Sequence, residues 1–175
     1  GLVGDDVPVT GASIDSRELE AGQQVVPIVA ERDGHDFVAG AVARGAAAYL
    51  SARGGVEGAD AIPRIDVADT AIALTAIGSA ARDRLEGAVV GVTGSVGKTT
   101  TKDLAASVLR RSFATHANLR SFNNELGVPL TLANAPDGTE AAVIEMGARG
   151  LGHIAELCAI ARPTIGVVTT VEKVH

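Results

Sequence analysis

A glycine-rich turn between a predicted strand and a predicted helix limits most strongly what this chain can fold into. Residues 88–93 read Ala-Val-Val-Gly-Val-Thr, and this apolar run predicts a buried strand. The sequence Gly-x-x-Gly-Lys-Thr follows from Gly94 to Thr99, and a helix is predicted over residues 98–111. A strand, such a turn and a helix in this order are typical of a phosphate-binding unit in a parallel α/β sheet.

The residue types of this loop suit a nucleotide. Gly94 and Gly97 let the backbone turn tightly around phosphate oxygens, and amides at the helix N-terminus point toward the anion. Lys98 brings a positive charge to the β- and γ-phosphates of ATP, and the Thr99 hydroxyl is positioned to ligate Mg²⁺. The predicted ATP-binding residues are Thr93, Gly94, Ser95, Val96, Gly97, Lys98, Thr99 and Thr100.

The spacing of the loop departs from the usual pattern. A glycine normally stands five residues before the glycine of Gly-Lys, where this chain has Val92. The alternative to a nucleotide site is a chance glycine-rich turn. The apolar strand before the loop and the helical sequence after it favour the nucleotide site.

Strands and helices alternate along the chain, which predicts an α/β fold. A junction at Glu86-Gly87 divides the chain into predicted domains 1–85 and 86–175, the second a parallel sheet with helices on both faces. In the first domain we predict a short strand running into a turn over 11–17, strands over 24–29, 46–50 and 62–67, and helices over 37–44 and 70–85. In the second we predict strands over 88–93, 113–116, 141–146 and 165–170, and helices over 98–111, 124–133 and 152–161. Gly127 and Pro129 are expected to kink or shorten the helix over 124–133.

Two local predictions concern the first domain, and one concerns the chain end. Pro27 inside a strand indicates an edge strand or a bulge, and Asp36 is predicted to cap the helix that follows it. The second domain stops just after a strand, so we expect the chain to be a fragment cut within that domain.

Composition excludes several classes of function. The net charge is −6 without a basic stripe, which argues against a nucleic-acid partner. The single cysteine, Cys158, rules out an internal disulfide and a cysteine-based zinc site and is predicted to be a buried structural thiol. The longest apolar uncharged run, residues 70–81, is shorter than the roughly 20 residues of a membrane span. No signal peptide is visible, and we expect a cytoplasmic monomer.

Two further motifs follow the loop. Residues 121–131 read Ser-Phe-Asn-Asn-Glu-Leu-Gly-Val-Pro-Leu-Thr, and residues 143–148 read Val-Ile-Glu-Met-Gly-Ala. Taken with the loop, they resemble the Mur ligase family of ATP-dependent, amide-forming ligases in peptidoglycan precursor synthesis, and both are similar to the branch of that family that adds D-alanyl-D-alanine. Upstream, Asp15-Ser16-Arg17 and residues 33–37 resemble motifs of the family's substrate domain. The resemblance covers nearly all of the chain and implies a small N-terminal α/β substrate domain followed by part of a P-loop parallel-sheet ATPase domain.

The resemblance also implies catalytic and metal-binding roles. Lys98, Glu145 and His175 would be catalytic, with Thr99 and Glu145 coordinating the Mg²⁺ that bridges the ATP phosphates. His175 would help to hold a second metal. Its segment, Thr-Val-Glu-Lys-Val-His over residues 170–175, keeps only the histidine and one apolar position of the family pattern. A solvated terminal histidine is therefore the alternative.

Substrate contacts follow from the same resemblance. Asn123 and Asn124 would line the side of the site that holds the acceptor carboxylate, although Asn124 is equally suited to helix capping. Ser16 and Arg17 would contact the uridine diphosphate, with an ordinary turn and a surface arginine as the alternative. His35 would belong to the same substrate domain, with a loop-stabilising histidine as the alternative.

The implied reaction joins D-alanyl-D-alanine to UDP-muramoyl-tripeptide. The substrate carboxylate attacks the γ-phosphate of ATP, an acyl phosphate forms, and the incoming amine displaces the phosphate. The family's carbamylated lysine and C-terminal domain fall beyond position 175 in the pattern, so we expect this chain alone to be inactive. Two alternatives stay open: another ligase of the superfamily, such as a folylpolyglutamate or cyanophycin synthetase, and a non-catalytic nucleotide-binding module or degenerate copy.

Overall fold

A computed structural model describes residues 1–172 of the chain. The chain divides into two compact units, Gly1–Leu74 and Thr75–His175. This division lies inside a helix, whereas the predicted domains meet at residues 85 and 86. The assignment of functional domains to 1–85 and 86–175 stays a prediction.

The first unit contains a five-stranded sheet in the order β1-β5-β4-β3-β2. Neighbouring strands run parallel except for β1, which pairs antiparallel with β5. A short 3-10 helix, Gly34–Phe37, leads into α1, Val38–Val42. The strands are β1 Leu2–Val3, β2 Ala12–Ser13, β3 Gln24–Val25, β4 Ala48–Ser51 and β5 Arg64–Asp66.

Two predictions in this unit are wrong. Asp36 does not cap a helix: the side chain of Asp33 accepts from the His35 amide and caps the 3-10 helix instead, and α1 begins after Phe37 with no side-chain cap. Pro27 does not mark an edge strand or a bulge. Strand β3 lies between β2 and β4 and ends at Val25, because a proline has no N–H to donate to a sheet ladder.

The second unit contains a four-stranded parallel sheet in the order β7-β8-β6-β9. Its strands are β6 Ala88–Thr93, β7 Thr115–Ala117, β8 Ala141–Glu145 and β9 Ile165–Val168. Helix α2, Thr70–Arg84, crosses the division between the units, and its first turn is capped by Asp69, whose carboxylate accepts from the amides of Ala71 and Ile72. The other helices are α3 Lys98–Leu109, α4 Gly127–Ala133 and α5 His153–Ala161.

Side chains of the central strands alternate between two apolar layers, as the pleat of a strand requires. Val89 and Ile144 pack with residues of α4 and α5 on one face. Val92 and Val143 pack with Ala106 of α3 on the other face. The predicted α/β class, with helices on both faces of a parallel sheet, is confirmed in this unit.

Strand register brings the ends of β6 and β8 together. Val92 pairs with Glu145, and Thr93 pairs with Val168 of β9. Because carboxyl ends of parallel strands lie at the same edge of a sheet, the loop after β6 begins beside the Glu145 backbone.

Two further predictions concern single features of the chain. The Cys158 thiol was predicted to be buried and is half-buried; its Sγ lies 3.9 Å from Met146 Sδ, and the residue packs against the apolar layer. Over residues 1–172, no helix is long and apolar enough to cross a membrane.

Candidate functional site

The loop between β6 and α3 has the backbone geometry of an anion-binding turn. Gly94 (φ 136°) and Gly97 (φ 86°) adopt conformations that favour glycine. Gly97 is the N-cap of α3 and provides no side-chain cap. Amides of the first helical turn are therefore available to an anion at the point where the helix dipole favours negative charge.

Lys98 is the first residue of α3, and its side chain folds back over the loop. The Nζ atom donates to the carbonyl oxygens of Gly94, at 2.7 Å, and Ser95, at 3.3 Å. The ammonium group is thus held at the loop by weakly basic acceptors, and it has no carboxylate partner among residues 1–172. A phosphate oxygen competes well with such carbonyls because a hydrogen bond between two charged groups is the stronger one.

The segment that follows β9, from residue 169 onward, packs against the loop. The amide of Ser95 donates to the Thr170 carbonyl at 2.7 Å, and Thr169 Oγ1 donates to the Val96 carbonyl at 2.7 Å. A side chain on Gly94 would overlap Thr169 Oγ1. The neighbouring strand therefore helps to fix the loop. The sequence carries no signal for these contacts, and neither threonine was predicted to have this role.

Glu145 ends β8 beside the loop and is 1% exposed. Its Oε1 accepts from Asn123 Nδ2 at 2.7 Å, whereas Oε2 is buried without a hydrogen-bond partner among residues 1–172. A buried carboxylate oxygen in this state is costly unless a cation meets it. A hard divalent cation such as Mg²⁺, which binds carboxylate and hydroxyl oxygens, fits this oxygen, and Thr99 lies half-buried in the first turn of α3.

Asn118 binds the backbone of Glu145, and Lys102 binds that of Asn118; neither was predicted as a site residue. Asn118 is buried, and its Oδ1 accepts from the Glu145 amide at 2.6 Å. Lys102 Nζ donates to the Asn118 carbonyl at 2.9 Å. The one available sequence signal was the spacing of Lys102, one helical turn after Lys98, and nothing in that spacing indicates burial.

Asn123 and Asn124 have different surroundings. Asn123 contacts Glu145, and Gly147 lies so close that a Cβ atom there would stand 2.8 Å from Asn123 Oδ1. Asn124 Oδ1 accepts from the amides of Leu126 and Gly127, at 3.3 and 2.8 Å. Asn124 thus closes the turn that leads into α4, whose own N-cap is Leu126 without a side-chain hydrogen bond. The proposed contact of either asparagine with an acceptor carboxylate stays a prediction.

The first unit has a pocket of 410 Å³ lined by Ser16, Arg17, Arg32 and Phe37, among others. This volume is within the range of small-molecule sites, and the two arginines are suited to an anionic ligand. Arg17 forms two-point contacts with Asp15, including a 2.6 Å ion pair. Hydrogen bonds from Arg17 lower the pKa of the Asp15 carboxyl to about 2.

His35 is buried, and both ring nitrogens are engaged. Nδ1 lies 2.6 Å from Asp33 Oδ1, and Nε2 accepts from the Ala52 amide at 3.1 Å. These contacts require a proton on Nδ1 and join two loops of the unit. The geometry supports the loop-stabilising alternative, while a direct contact of His35 with substrate stays a prediction.

His175, predicted to hold a second metal, lies outside the described residues. Within residues 1–172, no group of three or more His, Cys, Asp or Glu side chains converges in a way that could hold a metal. The second-metal role of His175 stays a prediction.

Known proteins similar to this chain agree with the motifs. Residues 92–175 match the family model "Mur ligase middle domain". A UDP-N-acetylmuramoyl-tripeptide–D-alanyl-D-alanine ligase of Synechocystis sp. is 39% identical over 173 residues, which are 98% of this chain and 38% of the relative. The ligase of the same description from Bacillus subtilis is 40% identical over 168 residues, covering 95% of this chain and 37% of the relative. The chain thus spans less than two fifths of the length of these curated relatives.

Solved structures agree with the curated relatives. A crystal structure of MurF from Acinetobacter baumannii superposes with a TM-score of 0.82 at 33% identity, covering 95% of this chain and 36% of that one. MurF ligase from Thermotoga maritima in complex with ADP superposes with a TM-score of 0.76 at 33% identity, covering 95% of this chain and 39% of that one. Sequence, loop geometry and backbone fold agree, and residues 92–175 are a middle domain of the Mur ligase family.

Proposed function

We propose that residues 86–175 bind ATP with Mg²⁺ and that residues 1–85 bind the uridine diphosphate end of a UDP-muramoyl-peptide. In the intact natural protein, these parts would serve a ligase that adds D-alanyl-D-alanine to UDP-N-acetylmuramoyl-tripeptide. The observation that carries the proposal is the pairing of Val92 with Glu145, which sets a buried, half-satisfied carboxylate beside a phosphate loop. The names of the relatives support the choice of substrates.

The chemical difficulty of this reaction is the meeting of two anions, a substrate carboxylate and the γ-phosphate of ATP. Lys98 would move from the loop carbonyls to the transferring phosphoryl group, and the amides at the start of α3 would hold the neighbouring phosphates. When bound between Thr99 and Glu145, Mg²⁺ would neutralise phosphate charge. Attack on the γ-phosphate breaks its bond to the β-phosphate bridge and yields an acyl phosphate and ADP.

The second half of the reaction forms the amide. The amine of D-alanyl-D-alanine attacks the acyl carbon, and phosphate leaves with its electron pair. Asn123, which donates to Glu145, would lie at the acceptor side of the site with Asn124.

We propose a cytoplasmic location on the basis of the two proposed substrates, ATP and a UDP-linked peptide. We also propose that the protein is a monomer, which sedimentation measurements test.

The first unit would recognise the nucleotide end of the acceptor. Ser16 and Arg17 line the 410 Å³ pocket, and Arg32 adds a second positive charge to its wall. The diphosphate is the natural partner of these guanidinium groups because a planar fork matches phosphate oxygens. His35 would support this pocket indirectly, through the two loops that it joins.

The test measures phosphate release by the intact protein with ATP and UDP-muramoyl-tripeptide, with and without D-alanyl-D-alanine. We expect release that requires both substrates, and a fall of about 10²-fold or more in Lys98→Ala, as for loss of one preorganised donor. Arg111→Ala, at an exposed position just after α3, is the matched control and should keep full activity. The proposal would be refuted if phosphate release were the same with and without UDP-muramoyl-tripeptide and D-alanyl-D-alanine, or if the rate were unchanged in Lys98→Ala. Either result would favour a non-catalytic nucleotide-binding protein.

A further inference from the structure

Lys102 is a buried lysine that has no role in the proposed reaction. It is 2% exposed, and its ammonium group has three acceptors: the carbonyls of Asn118 at 2.9 Å and Arg120 at 3.2 Å, and Asp103 Oδ1 at 2.9 Å. An ammonium has three donors, so all of them are used. Lysine is almost never fully buried without such pairing, so the three acceptors account for the burial of Lys102.

The two carbonyls belong to the irregular segment between β7 and α4, residues 118–126. Within it Arg120 has φ 51°, a left-handed conformation that is uncommon for a residue with a side chain. Lys102 donates on both sides of this point, to Asn118 and to Arg120. The lysine thus attaches the segment to α3, the helix that begins at the nucleotide loop.

The same segment holds Glu145 at its backbone and at its carboxylate. Asn118 Oδ1 accepts from the Glu145 amide at 2.6 Å, and Asn118 Nδ2 lies 3.3 Å from the Glu145 carbonyl. Asn123 Nδ2 donates to Glu145 Oε1 at 2.7 Å. The position of the carboxylate therefore depends on where the segment lies.

We propose that Lys102 is a positioning residue that couples the nucleotide loop to Glu145. It fixes the distance between α3, which carries Lys98 and Thr99, and the carboxylate that would meet the divalent cation. This inference rests on the proposed function, because it assigns Glu145 to the cation. Lys102 itself touches neither nucleotide nor metal.

The decisive experiment separates cation binding from nucleotide binding in the intact protein. Mn²⁺ serves as a paramagnetic probe, and its affinity for the ADP complex is measured by electron paramagnetic resonance. The affinity for ADP alone is measured by calorimetry in the presence of EDTA. Lys102→Met keeps the apolar stem but removes the three donors. We expect Mn²⁺ affinity to fall by about 10-fold or more, as for loss of a group that orients a metal ligand, while metal-free ADP affinity stays within about 2-fold.

Three further single variants and one double variant sharpen the result. Asn118→Leu should give the same separation, and the double variant with Lys102→Met should be no worse than the stronger single change, because both act through one contact. Asp103→Asn removes only the ion pair to an exposed carboxylate and should leave both affinities unchanged. Lys102→Arg keeps the charge in a larger group and replaces Lys102→Met as the test if that variant does not fold. It should reduce Mn²⁺ affinity and leave metal-free ADP affinity unchanged.

Two results would overturn the role of Lys102. Equal losses of Mn²⁺ and metal-free ADP affinity would mean that the lysine supports the fold in general. Unchanged Mn²⁺ affinity in the folded variants would mean that the segment keeps its place without it. A wild-type protein that binds ADP in neither condition would instead refute the proposed nucleotide site itself, which is a different outcome.

Discussion

Asn123 Nδ2 donates to one oxygen of Glu145 over 2.7 Å, and the other oxygen of that carboxylate is buried with no hydrogen-bond partner among residues 1–172. The asparagine fixes the plane of the carboxylate, so the second oxygen has a defined direction before any ligand arrives. Such preorganisation makes cation binding stronger because the ligand group does not have to be ordered when the cation binds.

The unpartnered oxygen predicts opposite effects of Glu145→Gln on stability and on ligand response. The substitution replaces a buried carboxylate, one oxygen of which has no hydrogen-bond partner among residues 1–172, with a neutral amide, so the thermal midpoint of the metal-free protein should stay the same or rise by roughly 2–4 °C. The further rise that ADP with Mg²⁺ produces should largely disappear. Differential scanning fluorimetry measures both, with Glu156→Gln, an exposed position in α5, as the control. A metal-free midpoint that drops by many degrees would contradict this account of Glu145.

Gly147 is expected to control the orientation of Asn123. A Cβ at position 147 would lie 2.8 Å from Asn123 Oδ1 and 2.9 Å from its Cγ, so Gly147→Ala must displace the side chain that holds Glu145. We expect a loss of about 1–3 kcal/mol in the free energy of unfolding and weaker binding of ADP with Mg²⁺. Gly150→Ala is the matched control, because a Cβ there meets no atom within 4 Å. Equal behaviour of the two alanine variants in urea unfolding would rule out this role of Gly147.

Thr169 should matter for nucleotide affinity through its hydroxyl. Its Oγ1 donates to the Val96 carbonyl at 2.7 Å and so holds the middle of the loop. Thr169→Val keeps the shape and removes the donor, and we expect about 5-fold weaker ADP binding, the equivalent of one neutral hydrogen bond of about 1 kcal/mol. Thr169→Ser keeps the hydroxyl and should bind like the wild type. Calorimetric titration of both variants compares them, and equal affinities for Val and Ser would exclude the hydroxyl.

In the first unit, the ion pair between Arg17 and Asp15 predicts a pH dependence. Hydrogen bonds from Arg17 lower the Asp15 pKa from 3.8 to about 2. A lowered carboxyl pKa in the folded state stabilises the protein above pH 3.8, and this contribution is lost as the pH falls from about 3.8 to about 2. Titration followed by carbon NMR should show the low value, and Arg17→Met should return the pKa toward 3.8. Arg111→Met is the control and should leave the Asp15 pKa unchanged.

Local sequence signals predicted the strand before the glycine loop and the start of the helix after it. Strand β6 has the bounds that the apolar run over residues 88–93 indicated, and helix α3 begins at Lys98 as expected. These elements were predictable because their signals lie within them: a short apolar run forms the strand, and Gly94 and Gly97 stand where the loop turns. The helix predicted over residues 124–133 begins three residues later, because Asn124 closes a capping turn before α4.

Contacts between distant parts of the chain were not predictable from the sequence. Nothing in the sequence around Lys102 distinguishes it from a solvated lysine on a helix, yet β7 and the segment after it bury it. Asn118 stands three residues before the motif over residues 121–131, and its contact with Glu145 forms only because β7 lies beside β8. The helix start near Asp36 was predicted wrongly because a 3-10 helix, capped by Asp33, comes before α1, and the sequence analysis did not predict this helix.

The contact of Thr169 with the nucleotide loop has a consequence for folding. The hydrogen bonds between the loop and the segment after β9 join residues 73 to 77 positions apart. A contact of such sequence separation forms only after the intervening chain has closed, which makes it slow compared with the turn itself. We infer that the loop acquires its final shape late, when β9 joins β6. The ability to bind nucleotide would then report completion of this part of the sheet during refolding.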